Sequence, residues 1–83
     1  MKLKLITPQI QLFEGEVDAV TLPGSEGEFQ VLPGHTYFLT LLQTGEMSYE
    51  TGHQTTRFQI GEGHAEVHDE VVTVAVDHAQ ALE

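Results

Sequence analysis

The sequence predicts an all-β domain, a small antiparallel β-sandwich of roughly eight to ten short strands. Three observations carry this reading. Apolar residues recur at every second position in short runs, the spacing that lines one face of a strand. Glycine, proline and acidic turn formers interrupt those runs about every eight to twelve residues, as sandwiches and barrels require. Nowhere does a window of about a dozen residues show the i, i+3, i+4 apolar spacing of an amphipathic helix.

Lys2 to Ile6 alternates, with Leu3 and Leu5 on one side and two lysines on the other, until Pro8 interrupts it. Ile10 and Leu12 share a face before Gly15. Glu16 to Leu22 sets Val17, Ala19 and Thr21 against Asp18, Val20 and Leu22, so both of its faces carry apolar residues. Pro23 ends that run. A turn at Gly24-Ser25-Glu26-Gly27, a short strand from Glu28 to Leu32 and a second turn at Pro33-Gly34-His35 follow. Thr36 to Leu42 is again apolar on both sides, with Tyr37, Leu39 and Leu41 on one face and Phe38 and Leu42 on the other. Glu46 to Thr51 and Gln54 to Ile60 read as a hairpin with its tip at Gly52-His53; Met47, Tyr49, Thr56, Phe58 and Ile60 point inward. Gly61 and Gly63 break the chain before Ala65 and Val67, Asp69-Glu70 turns it, and the β-branched run Val71 to Val76 completes the strands. The tail from Asp77 to Glu83 contains good helix formers but is too short to hold a helix alone.

The 83 residues make one domain, 1–83, near the size at which burial only just offsets chain entropy. Thirteen acidic residues against three basic ones give a formal charge of −10, which argues against nucleic acid, because phosphate binding needs clustered Lys and Arg. An acidic exterior of this kind favours solubility and a partner with a basic surface. Cysteine is absent, which removes disulfides, thiolate metal sites and thiol nucleophiles together. No stretch approaches the ~20 apolar residues needed to span a bilayer, so membrane association is expected only through a protein partner.

Little in the chain suggests chemistry. His64, Glu66 and His68 fall on one strand face and are the best metal-ligating set, although solvated side chains on an outer face have the same pattern. Glu26 and Glu28 could form a carboxylate pair for acid/base work, but two acids two residues apart in so acidic a chain carry almost no specificity, and neither a nucleophile elbow nor a phosphate-cradling loop is present. Catalysis is not expected, and neither a metal nor any other cofactor is assigned. The two-faced strands are more informative. If one face builds the core, the apolar set Val20, Leu22, Phe38 and Leu42 needs cover, from the opposing sheet or from a second protein.

The stretch Pro23 to His35, PGSEGEFQVLPGH, resembles the GSEGE…PGH signature of the epsilon subunit of F-type ATP synthases. Phe13 to Val17 is similar to the family's phe-x-gly-x-val phrase ahead of the signature, and Val71, Thr73 and Val74 to its val-thr-val ending. The resemblance implies a non-catalytic β-sandwich of the central rotor stalk. It would be bound to the gamma subunit, resting on the ring of c subunits, and peripheral on the bacterial cytoplasmic side of the inner membrane or its organellar equivalent. By the same correspondence Glu26, Glu28 and His35 are candidates for the ring contact, and Val20, Leu22, Phe38 and Leu42 for the gamma interface. Gly24, Gly27 and Gly34 are expected to permit the turns. The alternative is a free-standing small-ligand or metal-binding sandwich built on His64, Glu66 and His68. Gln30 stands where the family commonly has glycine, and Gly61-Glu62-Gly63 replaces a ser-gly-gly phrase. Most members continue into a helical hairpin that inhibits hydrolysis and in some binds ATP; with the sequence ending at Glu83, neither property is carried over.

Overall fold

A computed structural model describes residues 1–34 and 36–82. Among these residues the chain forms ten strands and no helix. They are β1 (Lys2–Ile6), β2 (Gln11–Glu16), β3 (Ala19–Gly24), β4 (Gly27–Val31), β5 (Phe38–Leu42), β6 (Gly45–Thr51), β7 (Gln54–Ile60), β8 (Gly63–His68), β9 (Val71–Val76) and β10 (Ala79–Leu82). The strands pair in the order β10-β7-β6-β3-β5-β8-β9-β1-β2, with β4 added to β3.

A single bridge, Gly24 opposite Leu42, connects the half built on β3 to the half that begins at β5. The sheet curls over itself at this join, and the two halves face one another. Stacking of Phe13 from β2 on Tyr49 from β6, with ring centroids 4.5 Å apart, shows the closure. Every pairing is antiparallel except β1 with β9, which run parallel.

Alternation decides what enters the core. Leu3 and Leu5 on β1, Ala65 and Val67 on β8, and Val72, Val74 and Val76 on β9 meet Val20, Leu22, Val31, Met47, Tyr49, Phe58 and Ile60 from the other half. Among the described residues no polar or charged residue is buried. The interior is therefore held by packing and apolar burial rather than by ion pairs.

Three of the departures from the sequence expectation have an identifiable structural reason. The run from Glu16 to Leu22 is divided, with Glu16 closing β2 and β3 starting at Ala19. At the break between them Asp18 donates its N–H to the Glu50 carbonyl and accepts the Gly52 N–H on its carboxylate, both at 2.7 Å. β3 continues through Pro23 to Gly24, because the strand asks Pro23 only for its carbonyl, which accepts the Gln43 N–H at 2.9 Å. The tail does not coil. Residues 79–82 pair along β7, Ala79 opposite Ile60 and Leu82 opposite Arg57, and the sheet edge supplies hydrogen-bond partners that an isolated turn of helix lacks.

Candidate functional site

The signature forms the β3–β4 hairpin and the turn that follows it. Ser25 and Glu26 are its two tip residues between the paired Gly24 and Gly27. Gly27 has φ of +130° and Gly34 of +87°, conformations that favour glycine, so both behave as the expected turn formers. Gly24 has a different task. It lies in β3, where a Cβ would come within 2.8 Å of the Gly27 carbonyl oxygen and of the Phe29 ring. The hairpin is fastened to β5 by the Ser25 N–H, which donates to the Leu41 carbonyl at 3.0 Å.

Glu26 and Glu28 are exposed at or beside this tip. The Pro33-Gly34 turn lies at the other end of β4, about 17 Å away for a strand of five residues. There the Gly34 N–H donates to Glu70 Oε2 at 2.9 Å. The two turns of the signature therefore do not present one surface, because a whole strand separates them. His35 itself lies outside the described residues.

The apolar set expected at the gamma interface is mostly interior. Val20 and Leu22 are 0% exposed and Leu42 is 4% exposed, facing the opposite half of the curled sheet. Phe38 is half-buried, its ring edge-on to Phe29 at 5.6 Å. The expectation that Val20, Leu22 and Leu42 are covered by another protein is thus corrected; the domain covers them itself. The other face of β5 is open. Leu41 is 66% exposed, and Tyr37, just before the strand, and Leu39 are each 59% exposed.

This stripe lies beside β8, with Leu39 paired to Glu66 and Leu41 to His64. Directly opposed residues in an antiparallel pair share a face, so His64 and Glu66 belong to the same outer surface. His68 continues it and meets the Tyr37 ring edge-on at 5.5 Å. Farther across, Thr73 on β9 pairs with Lys4 on β1, and Lys4 with Glu14 on β2. Lys2 Nζ is 3.1 Å from Glu14 Oε2, and this lysine's hydrogen bond and charge hold the Glu14 carboxyl below the usual carboxylate value.

The metal set does not converge. His64 and His68 are four positions apart on an extended strand, about 13 Å. No group of three or more His, Cys, Asp or Glu side chains among the described residues is placed to hold an ion. The dents in the surface are shallow. One, about 320 Å³, is lined mainly by apolar side chains such as Ile6, Pro8 and Val76, with the carboxylates Glu62 and Asp77 among its lining residues.

Comparison with known proteins extends these observations to the whole chain. A family model described as the β-sandwich domain of the ATP synthase delta/epsilon chain matches residues 1–81. The ATP synthase epsilon chain of Geobacter metallireducens is 44% identical over 80 residues, covering 96% of this chain and 58% of that one. That of Helicobacter pylori is 43% identical over 79 residues, covering 95% and 64%. The chain thus spans about three-fifths of the length of these curated relatives. A chain in the Euglena gracilis mitochondrial ATP synthase structure, a complex of OSCP, F1 and c-ring, superposes with a TM-score of 0.89 at 32% identity, over 95% of this chain and 51% of that one. One in the central stalk and c-ring of the Tetrahymena thermophila enzyme shares the fold, with a TM-score of 0.82 at 16% identity over 95% and 64%.

Proposed function

Because the chain belongs to the family of the ATP synthase delta/epsilon chain β-sandwich domain, we propose that it is a non-catalytic rotor-stalk component of a proton-transporting F-type ATP synthase, linking the gamma subunit to the ring of c subunits. The observation that carries this reading is the match over residues 1–81, nearly the whole chain. Among the described residues no polar or charged residue is buried, and the core is held by apolar packing between the two halves of the sheet. No helix among the described residues is long and apolar enough to cross a membrane. In the proposed role the chain is held peripherally through the complex, on the bacterial cytoplasmic side of the inner membrane or its organellar equivalent.

Gamma docks on the outer stripe Tyr37, Leu39 and Leu41, three of the large apolar side chains left exposed, on the strand beside β8. Such an exposed patch fits a subunit interface better than bulk water, and a standard contact of roughly 800 Å² per partner would cover it together with its polar surroundings. The ring contact falls to Glu26 and Glu28 at the β3–β4 tip. An exposed carboxylate there pairs with a basic or amide group of a c-subunit loop.

Co-purification with gamma tests the assignment. The wild-type chain is expected to associate at micromolar concentration and Leu39→Asp to lose association. Failure of the wild-type chain to bind gamma at all overturns the proposal. Glu28→Lys is expected to keep the fold by circular dichroism and to weaken coupling, and unchanged ATP-driven proton pumping in that variant would remove Glu28 from the ring contact.

A further inference from the structure

Alongside the apolar stripe, the outer positions from Glu62 through β8 alternate in chemistry: Glu62, His64, Glu66, His68, followed by Asp69. Leu41 is opposite His64, Leu39 is opposite Glu66, and the Tyr37 ring touches His68. Glu62 lines the same shallow depression as Leu41. The stripe is thus bordered on one long side by a ribbon of carboxylates with imidazoles between them. On its other side β5 meets the β3–β4 hairpin at the Gly24–Leu42 bridge and through the Ser25 N–H, which donates to the Leu41 carbonyl.

We propose that this ribbon makes docking of the gamma subunit proton-sensitive, with His64 and His68 as the sensing groups. The inference rests on the docking face assigned above. Two effects act with the same sign. With both imidazoles neutral, the ribbon carries the three negative charges of Glu62, Glu66 and Asp69, which suits a basic rim on the partner; protonation of His64 and His68 cuts the net charge to one. Docking on Leu41 and Tyr37 also takes water from the imidazoles beside them, and desolvation disfavours the charged form.

Histidine is the side chain whose charge changes between about pH 5 and 8, whereas carboxylates ordinarily stay ionised across that window. The remaining charged groups around the pair are few. Asp69 Oδ2 is 3.6 Å from His68 Nδ1. On the β9 side His64 and His68 are opposite Ala75 and Val71, which do not titrate, and beyond β9 lie Lys4 and Lys2, the latter held by Glu14. On the β5 side the neighbours are Leu41 and the Tyr37 phenol. The partner that this surface fits is an apolar patch with Lys or Arg at its edge. A basic edge is favoured because the chain itself has only three basic residues against thirteen acidic ones.

The sign follows from linkage. If docking requires neutral imidazoles, affinity is full above the range in which free histidine titrates and falls as pH drops through it. The test measures the dissociation constant of the 83-residue chain for purified gamma subunit at pH 8.0 and at pH 5.8. The variants are His64→Gln/His68→Gln and Leu39→Asp, each checked for retained fold by circular dichroism at both pH values. Wild type is expected to bind about tenfold or more weakly at the lower pH, and the double glutamine variant to show a flat profile. A flat wild-type profile overturns the proton sensitivity and leaves the docking face standing. A pH dependence retained in the double variant overturns the assignment to these two histidines. Wild-type affinity in Leu39→Asp overturns the docking face on which the inference stands.

Discussion

Asp69 and Glu70 are the two described non-glycine residues with positive φ, at 52° and 64°. A tight turn between β8 and β9 with both tip residues left-handed favours Asn-Gly, so this pair holds strain. Glu70 has a compensating use, since its carboxylate accepts the Gly34 N–H. Replacing Asp69-Glu70 by Asn-Gly is therefore expected to stabilise the domain by roughly 0.5–1 kcal/mol in urea unfolding, while amide exchange at Gly34 accelerates. Slow exchange at Gly34 in that variant would deny Glu70 the holding role. Glu14 gives a second residue-level expectation. Its carboxyl is held below the ordinary carboxylate range, first by its hydrogen bond to Lys2 and then by that lysine's charge. A depressed carboxyl contributes stability above its unfolded value and loses it as pH falls through the folded one. Both groups face solvent, so the effect is small. The stability gap between wild type and Lys2→Met is expected to be widest near neutrality and to close below the carboxylate range; a gap constant with pH would dissociate Glu14 from it.

At the scale of elements, the strands were legible and their orientation was only partly so. Alternation in Lys2 to Ile6, Glu46 to Thr51 and Gln54 to Ile60 placed Leu3, Leu5, Met47, Tyr49, Phe58 and Ile60 inward, and all are core. β5 is apolar on both sides, and a period of two does not say which side is inside. Its pairing with β8 decides, because Ala65 and Val67 face the core and bring Thr40 and Phe38 with them, leaving Leu39 and Leu41 outside. The Pro23 boundary and the tail failed for related reasons: the hydrogen bonds that sustain β3 past Pro23 and recruit Ala79–Leu82 come from residues far away in sequence. Glu26 and Glu28 were recognisable from the turn chemistry around them, but their separation from the Pro33-Gly34 turn depended on β4 being a full strand. The two faces of the sheet give a paired expectation. Leu22→Ala should cost about 2–5 kcal/mol, a large part of a total on the order of 5–15 kcal/mol. Leu41→Ser, on the open face, should change stability by less than about 0.5 kcal/mol. Comparable losses in chemical denaturation would mean that the open face is packed in solution.

For the whole molecule, composition limited function by exclusion more than by indication. A charge of −10 argued against a nucleic-acid partner, and the lack of cysteine removed disulfides and thiolate chemistry. What no local pattern contained was the order of strands. β1 sits between β2, its neighbour in sequence, and β9, which follows some seventy residues later and runs parallel to it. β1 can therefore pair with β2 locally but gains its second neighbour only once Val71–Val76 is in place. Leu3 and Leu5, both fully buried, lie on this doubly paired strand. Folding is in this sense a closure event, governed by the entropy of bringing distant segments together. Stability lost anywhere in β9 is then felt first at the opposite terminus, where β1 has nothing else to hold its second edge.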